Sequence, residues 1–595
     1  MRFIFIVVLA VLVRATIARV STSNVVDVTW KPVRRNTPQK QCRDACPGTW
    51  TALSAAEWVK VANPGWNVGN TLDAVPDEGS WNAPKLQEAT LDDVKKAGFK
   101  AIRLPVTYTD HFTSSSPDWI IDSAWLQRVS DVVDMATSRG LHVLTNMHHD
   151  SWGWADTSQP NANITMIQEK FYRSWLQIGK KLACKSSMVA FEPLNEPAGS
   201  SEADAANLMK LNEIFLQALT DSGGFNSKRV VTLSGLGMSS TNSYAPMFVR
   251  PKHIPNPWAF QYHYYSPYDF DFQAWGKTIW GSEADKAAVV SDLSAVRGNF
   301  TDIPIIMGEY SASQLNCEAA ARWKWYDHVV RTATSLDIGS FLWDNGLDNL
   351  QREAGIWRDQ IAVDIIMSTV KGQTNSLADS TTDPNALKQE TSAYIFHRVG
   401  EDVVDTSLPF LLNGNTFASL TIGGTALKAG EDYSISGSNL TFHQSFLEQY
   451  ISPAATPGSK TNITINFSSG APSQVEIIQW DLPTLAQYNA SASVVPSGSD
   501  LLIPIVWKGL HQVAAVKITD SDGKYLFDDW TMWLPELQKG RGTKGSQWSF
   551  DFDHLTITSS ALQTVEASGK TATFMFEFYP RAVGHGNYLN FTVTP

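Results

Sequence analysis

The stretch Met188-Val189-Ala190-Phe191-Glu192-Pro193-Leu194-Asn195-Glu196-Pro197-Ala198-Gly199-Ser200 decides how this chain reads. The apolar run at 188–191 is too short for a helix and reads as a buried strand. Pro193 and Pro197 lack the N–H that a helix or a sheet ladder needs, so the strand must end there. A carboxylate, Glu196, therefore stands just past the C-terminal end of an interior strand. In an α/β barrel that is the end where chemistry is done. Taken alone, Asn195-Glu196-Pro197 is equally a proline-rich turn with a solvated Glu, so its meaning depends on what surrounds it.

Working outward, strands and helices alternate. Strand patterns fall at 66–72, 101–106, 142–149, 188–196, 230–237, 259–265, 304–310 and 339–345. Helical patterns fall between them, opening at Thr90 and closing at Gly98, then at 122–139, 166–182, 202–219, 285–296 and 318–335, with a short helix ahead of all of them at 53–61. Eight such units predict one (β/α)8 TIM barrel over 50–398. A doubly wound sheet would show a Gly-rich phosphate loop after its first strand, and the sequence has none there.

The predicted strand ends carry reactive residues. Arg103 lies inside an apolar strand and needs a carboxylate partner. His148 and His149 end the third strand, Asn195 and Glu196 the fourth, Glu309 the seventh and Trp343 the eighth. His263 and Tyr265 end the sixth and, by alternation, share a face. Each has a plainer reading: core histidines or metal ligands, packing aromatics, a structural ion pair, a helix cap. Their convergence on one rim is what favours chemistry. Two opposed Glu suit glycosidic cleavage, in which one carboxyl protonates the leaving oxygen and the other attacks the anomeric carbon. The environment must split their pKa values. Arg103 is expected to keep Glu309 ionised, Tyr265 to donate to it, and His263 to hold Glu196. The amide of Asn195 suits a sugar 2-hydroxyl.

Composition narrows the partners. The chain has 595 residues, 18% charged and 43% hydrophobic, with a net charge of −12. An acidic chain repels a phosphate backbone, which argues against nucleic acid. The 22 Trp residues are many; aromatics usually build core, but such a number can also supply flat faces for sugar rings. Residues 1–18 have the charged start, apolar run and small-residue cut of a signal peptide, and 19–49 read as an extended arm. No later run is apolar enough to cross a membrane, so a secreted, soluble protein is expected; a monomer is expected as well. Seven Asn-X-Ser/Thr sites, at Asn163, Asn299, Asn439, Asn462, Asn466, Asn489 and Asn590, fit a glycoprotein. Of the four cysteines, Cys42 and Cys46 are close enough to close a small loop. Cys184 precedes a strand and Cys317 follows one, which puts them on opposite faces, too far apart to pair.

Seven motifs, in order, carry a family resemblance: Gly65-Trp66-Asn67-Val68-Gly69-Asn70-Thr71-Leu72-Asp73, Arg103-Leu104-Pro105-Val106, Met147-His148-His149-Asp150, Leu194-Asn195-Glu196-Pro197, His263-Tyr264-Tyr265-Ser266-Pro267-Tyr268, Gly308-Glu309-Tyr310 and Leu342-Trp343-Asp344. With them, the chain resembles family 5 glycoside hydrolases, in particular the subfamily 4 endoglucanases. The resemblance implies Glu196 as acid/base and Glu309 as nucleophile. It also implies Arg103, His148 or His149, Asn195, His263, Tyr265 and Trp343 as the supporting shell, with Trp343 as the floor under the reacting sugar. It implies no metal or other cofactor and a β-1,4-glucan substrate: cellulose chains, mixed-linkage glucan or xyloglucan. Trp81, Trp152, Trp154, Trp275 and Trp280 fall in loops on the reactive face, where two or three are expected to be sugar platforms. An endo-mannanase, an exo-β-glucosidase and a non-catalytic glucan-binding wall protein are the competing readings.

After residue 398 the pattern changes to short strands and turns, predicting two small β-sandwich modules. The first, 401–481, is similar to immunoglobulin-like X2 modules and lacks a strong aromatic face, which favours a spacer. The second, 482–595, looks like family 46 carbohydrate-binding modules, which can fold back to complete a cleft. Trp530 and Trp533 are the residues expected to contact glucan there, whereas Trp507 is expected to pack in the core.

Overall fold

Eight parallel strands close on one another in sequence order in the computed structural model of the protein, which describes residues 46–240, 247–313, 315 and 317–595. They are β1 (Gly65–Asn67), β2 (Ala101–Leu104), β3 (His142–Asn146), β4 (Val189–Glu192), β5 (Val231–Ser239), β6 (Trp258–Tyr264), β7 (Ile305–Tyr310) and β8 (Ile338–Leu342). This is the predicted TIM barrel. All but β5 and β6 are shorter than their apolar patterns suggest. Pro105 stops β2 and Pro193 stops β4, because neither can donate to the next ladder bond. The residues beyond them become rim loops.

The helices of the barrel region are α1 (Ala55–Ala62), α2 (Glu88–Ala97), α3 (Ser123–Ser138), α4 (Ile164–Leu182), α5 (Glu202–Ser222), the single turn α6 (Tyr268–Asp271), α7 (Glu283–Asn299), α8 (Ala319–Ser335) and α9 (Gln360–Val370). Side-chain caps set the starts of all but α2 and α6. The Ser201 hydroxyl accepts from the Asp204 N–H while the Asp204 carboxylate accepts back from Ser201, and Ser282 and Asp285 repeat the arrangement on α7. Asn163, a potential glycan acceptor, caps α4 through its side chain. Helix α9 follows β8, where the sequence pattern predicts no helix.

Helix α1 closes the bottom of the barrel. Trp58 is buried there with Ala101, Leu144, Ala190, Val230, Ala259, Ile306 and Phe341, and its Nε1 donates to Met188 O at 3.2 Å. Most of these partners lie at or near the first residues of the strands, so the lower end is packed shut and only the upper rim is open. Gly65 is required by the same packing: a Cβ there would stand 2.2 Å from the Phe341 ring.

The disulfide corrects one expectation. Cys46 does not close a small loop with Cys42 but joins Cys184, with the Cα atoms 5.2 Å apart. The reason is tertiary. Trp50 packs on Phe225 at 5.0 Å and under the Arg229 guanidinium at 5.3 Å, which lays the segment along the bottom beside the end of α4. Cys317 is buried and unpaired, as expected from its place on the other face. Cys42, the signal segment 1–18 and nearly all of the 19–49 arm lie outside the described residues. Among the described residues no helix is long and apolar enough to cross a membrane.

Beyond the barrel come four small sheets. A four-stranded and a five-stranded sheet form the middle module, and two four-stranded sheets form the last. Leu377–Ala378 and Tyr394–Arg398 pair with Phe410–Leu411 and with Glu476–Trp480, so the middle sheets take in strands from before residue 401. The last module packs its two sheets around Ile503, Val516, Trp548, Phe574, Phe576 and Phe591. Trp507 packs against this core, as expected.

Candidate active site

Arg103 is the hub of the open end. It is fully buried, and its whole fork is engaged. Nε and Nη2 donate to Glu192 at 2.8 and 2.7 Å, Nη1 to Glu309 at 2.5 Å and Asn67 at 3.0 Å, and Nη2 also to Asn195 at 2.8 Å. Burial works against the charge, but Glu192 and Glu309 outweigh it and raise the guanidinium pKa further. Glu192 likewise stays ionised: burial opposes its charge, yet Arg103 and Asn146 hold its carboxyl below the usual range. The sequence reading anticipated a partner for Arg103 but missed Glu192, Asn67, Asn146 and Gln261. The available signal was a polar side chain inside an otherwise apolar strand, the same signal that singled out Arg103.

Glu196 and Glu309 meet across the rim, with His263 between them. His263 Nδ1 is 2.8 Å from Glu196 Oε1 and 3.5 Å from Glu309 Oε2. One oxygen of each carboxylate lies within 4.8 Å of the other. Tyr265 donates to Glu309 at 2.9 Å, so the alternation placing His263 and Tyr265 on one face holds. Glu196 adopts a left-handed backbone, φ 38°, which costs free energy in a non-glycine residue and turns its side chain into the mouth. Glu309 differs from expectation. Burial raises its pKa, and although His263, Arg103 and the Tyr265 hydrogen bond pull it back, the net direction is upward.

Trp343 forms one wall. It stacks parallel to His148 at 6.0 Å, and Gly69 packs behind it, where a Cβ would sit 2.7 Å from the indole. Arg352 ties the two loops together, donating to Gly69 O at 2.9 Å, Asp344 O at 3.0 Å and the Thr71 hydroxyl. His148 is buried, and burial, reinforced by His149, Arg103 and His263, keeps its ring neutral. His149 sits 3.5 Å from Asp73 and packs against Trp81 at 5.2 Å and Trp152 at 4.7 Å. Asp73, His148 and His149, and separately Glu196, His263 and Glu309, bring donor atoms within 4.8 Å and are the described groups that could approach a cation.

The loop tryptophans divide. Trp152 is 54% exposed, and Trp81 and Trp154 are half-buried, with their Nε1 atoms held by Val75 O and Asp150. Trp280 is fully buried beside Phe270 and His328 and offers no face, so among the five it is one that packs beneath its loop. Trp275 reaches the last module: its Nε1 donates to Asp528 at 3.1 Å, and it meets Trp530 edge to face at 4.9 Å. Trp533 is 82% exposed and Trp530 43%. A run of ring contacts connects the rim to this point: Tyr265 to Phe272 at 5.4 Å, Phe272 to Tyr268 at 5.1 Å, Tyr268 to Trp275 at 6.0 Å. Beneath it, Gln273 donates to Ala514 O and Arg581 donates to Gly276 O at 2.9 Å. Arg581 and Arg541 share buried Glu577, at 2.9 and 2.5 Å.

The pattern of the cellulase family, glycosyl hydrolase family 5, matches residues 61–349, and that of carbohydrate binding domain X2 matches 389–477. Endoglucanase B of Paenibacillus lautus is 28% identical over 565 residues, covering 91% of this chain and 93% of its own. A solved tri-modular subfamily 4 endo-β-1,4-glucanase from Bacillus licheniformis, complexed with cellotetraose, is 31% identical with a TM-score of 0.79, covering 91% of this chain and 99% of its own. The tri-modular endo-β-1,4-glucanase B of Bacillus halodurans is 24% identical with a TM-score of 0.74, covering 92% and 100%, a likeness of fold.

Proposed function

The chain belongs to glycosyl hydrolase family 5 and is an endo-β-1,4-glucanase acting on polysaccharide, and from that premise we propose that it retains anomeric configuration, with Glu309 as nucleophile and Glu196 as acid/base. The observation that carries this is the approach of the two carboxylates, within 4.8 Å at their nearer oxygens. An inverting pair must leave room for a water and stands about 6.5–9.5 Å apart; a retaining pair stands at about 5–5.5 Å.

In the first step Glu309 attacks the anomeric carbon while Glu196 gives its proton to the leaving glycosidic oxygen. The glycosyl-enzyme ester is then opened by water, which loses its proton to Glu196. Arg103 and Tyr265 direct hydrogen bonds at Glu309 and orient it. His263 holds Glu196. Arg103 donates to the Asn195 carbonyl oxygen, which leaves the Asn195 NH2 for a sugar 2-hydroxyl. Trp343 lies under the reacting sugar, and His148 and His149 serve its hydroxyls.

Trp530 and Trp533 extend the glucan site beyond the barrel, supported by the ring contacts from Tyr265 to Trp530. The middle module acts as a spacer, since none of its described aromatics is among the exposed large hydrophobic side chains. Residues 1–18 direct secretion, and the protein works as a monomer.

The test is product release from carboxymethylcellulose, mixed-linkage glucan, xyloglucan and mannan, by wild type and Glu309→Gln. Cleavage of glucans by wild type, first released as the β-anomer and lost by several orders of magnitude in the variant, is expected. Cleavage of mannan alone would overturn the substrate, and an α-anomer first would overturn retention.

A further inference from the structure

Glu192 makes and breaks no bond in this mechanism, yet it is fully buried at the end of β4 with every oxygen engaged. Oε1 accepts from Arg103 Nη2 at 2.7 Å and from Asn146 Nδ2 at 2.8 Å. Oε2 accepts from Arg103 Nε at 2.8 Å and from Gln261 Nε2 at 2.8 Å. An ionised carboxylate can only accept. Asn146 must therefore turn its NH2 toward Glu192. Its carbonyl oxygen is held from the other side by the Val106 N–H at 3.2 Å. The orientation of this amide is thus set at both ends.

The same NH2 stands 2.9 Å from His148 Nδ1. A ring nitrogen facing a donor must be the bare one, so a neutral His148 carries its proton on Nε2. We propose that Glu192 is a positioning residue of the cleavage reaction: through Asn146 it locks His148 as an Nε2 hydrogen-bond donor to a hydroxyl of the bound glucose unit. The opposite tautomer would set two donors face to face at Nδ1 and present an acceptor to the sugar. Through Arg103 the same carboxylate also fixes which end of the Asn195 amide remains for substrate. One buried acceptor thereby sets the donor pattern on both flanks of the reacting sugar.

The consequence for activity rests on the glucanase reading of the cleft, but the lock itself is read without substrate. In full-length enzyme labelled with 15N-histidine, long-range 1H–15N spectra distinguish the two neutral tautomers, and the signal lost in His148→Gln identifies the ring. Wild type is expected to show the Nε2–H form. Asn146→Ala is expected to show a mixture, with kcat/KM on carboxymethylcellulose lowered about 100-fold, as for a misplaced contact at the reacting sugar. Glu192→Gln is expected to do the same, because an amide can present a donor to Asn146. If Glu192→Gln does not fold, Asn146→Ala decides alone, since it keeps the Arg103–Glu192 pair. An Nδ1–H ring in wild type overturns the proposal, as does an Asn146→Ala enzyme with unchanged tautomer and unchanged kcat/KM. An active Glu309→Gln enzyme would instead overturn the nucleophile and leave the tautomer result standing.

Discussion

Trp275 Nε1 donates to Asp528 Oδ2 at 3.1 Å, joining the loop after β6 to the last module. That loop follows the strand leading to His263 and Tyr265, so the contact couples the module to the reactive rim. Trp530 packs edge-on against the same indole. Trp530→Ala and Trp533→Ala are each expected to lower kcat/KM on mixed-linkage glucan or xyloglucan by roughly 2- to 10-fold, the worth of one aromatic contact. Short aryl cellosides should be cut almost as before. Unchanged activity of both variants on every polymer would remove the module from the cleft.

The acid side of the pH profile reports Glu309. The nucleophile must be ionised, and burial raises its pKa above the ordinary carboxylate value. Activity should therefore fall, as the pH drops, earlier than an ordinary Glu predicts. The Tyr265 hydrogen bond lowers that pKa, so Tyr265→Phe is expected to move the acid limb of kcat/KM to higher pH. Loss of a preorganised donor should also cost about 100-fold in kcat. An acid limb that moves to lower pH would contradict the role given to Tyr265.

Gly69→Ala tests the Trp343 wall. Its backbone lies outside the left-handed region, so only space is at issue. The new Cβ would stand 2.7 Å from the indole and 2.8 Å from Asp344 O. Displacing Trp343 is expected to cost about 100-fold in kcat/KM, with a small change in Tm. A variant with wild-type kinetics would mean that Trp343 can shift without consequence.

Docking of the last module depends on Glu577. Burial opposes its charge, but Arg581 and Arg541 outweigh this and hold its carboxyl below the usual range. Glu577→Gln leaves two buried guanidinium groups with no carboxylate between them, a loss of about 3–5 kcal/mol. The sign follows from linkage. A depressed folded pKa lends stability that is complete above the unfolded value of about 4.3 and is lost as the pH falls through the folded value. The Tm gap between wild type and variant, measured by calorimetry, should be widest near neutrality and close in acid. A gap that is constant with pH would place the stabilisation elsewhere.

Much of the site was legible in the chain. Arg103, Asn195, Glu196, His263, Tyr265, Glu309 and Trp343 each follow an apolar strand pattern or interrupt one, and barrel geometry brings all eight strand ends to one rim. Which of the five loop tryptophans offer a face was not legible, because a loop position does not say whether an indole faces solvent, as Trp152 does, or packs beneath the loop, as Trp280 does. The Cys46 pairing was misread because nearness in sequence says little about nearness in a fold where Trp50 anchors the segment to Phe225 and Arg229.

Sequence alone determined the period of the elements, the proline that ends β4, and the residue types at the strand ends, because these follow from local backbone chemistry. Tertiary structure alone decided that Glu192 rather than Glu309 takes the two-nitrogen grip of Arg103. It also decided that Asn146 faces His148 with a donor and that burial lifts the Glu309 pKa. Those outcomes depend on distances and dielectric between side chains far apart in the chain, and only the closed barrel sets them.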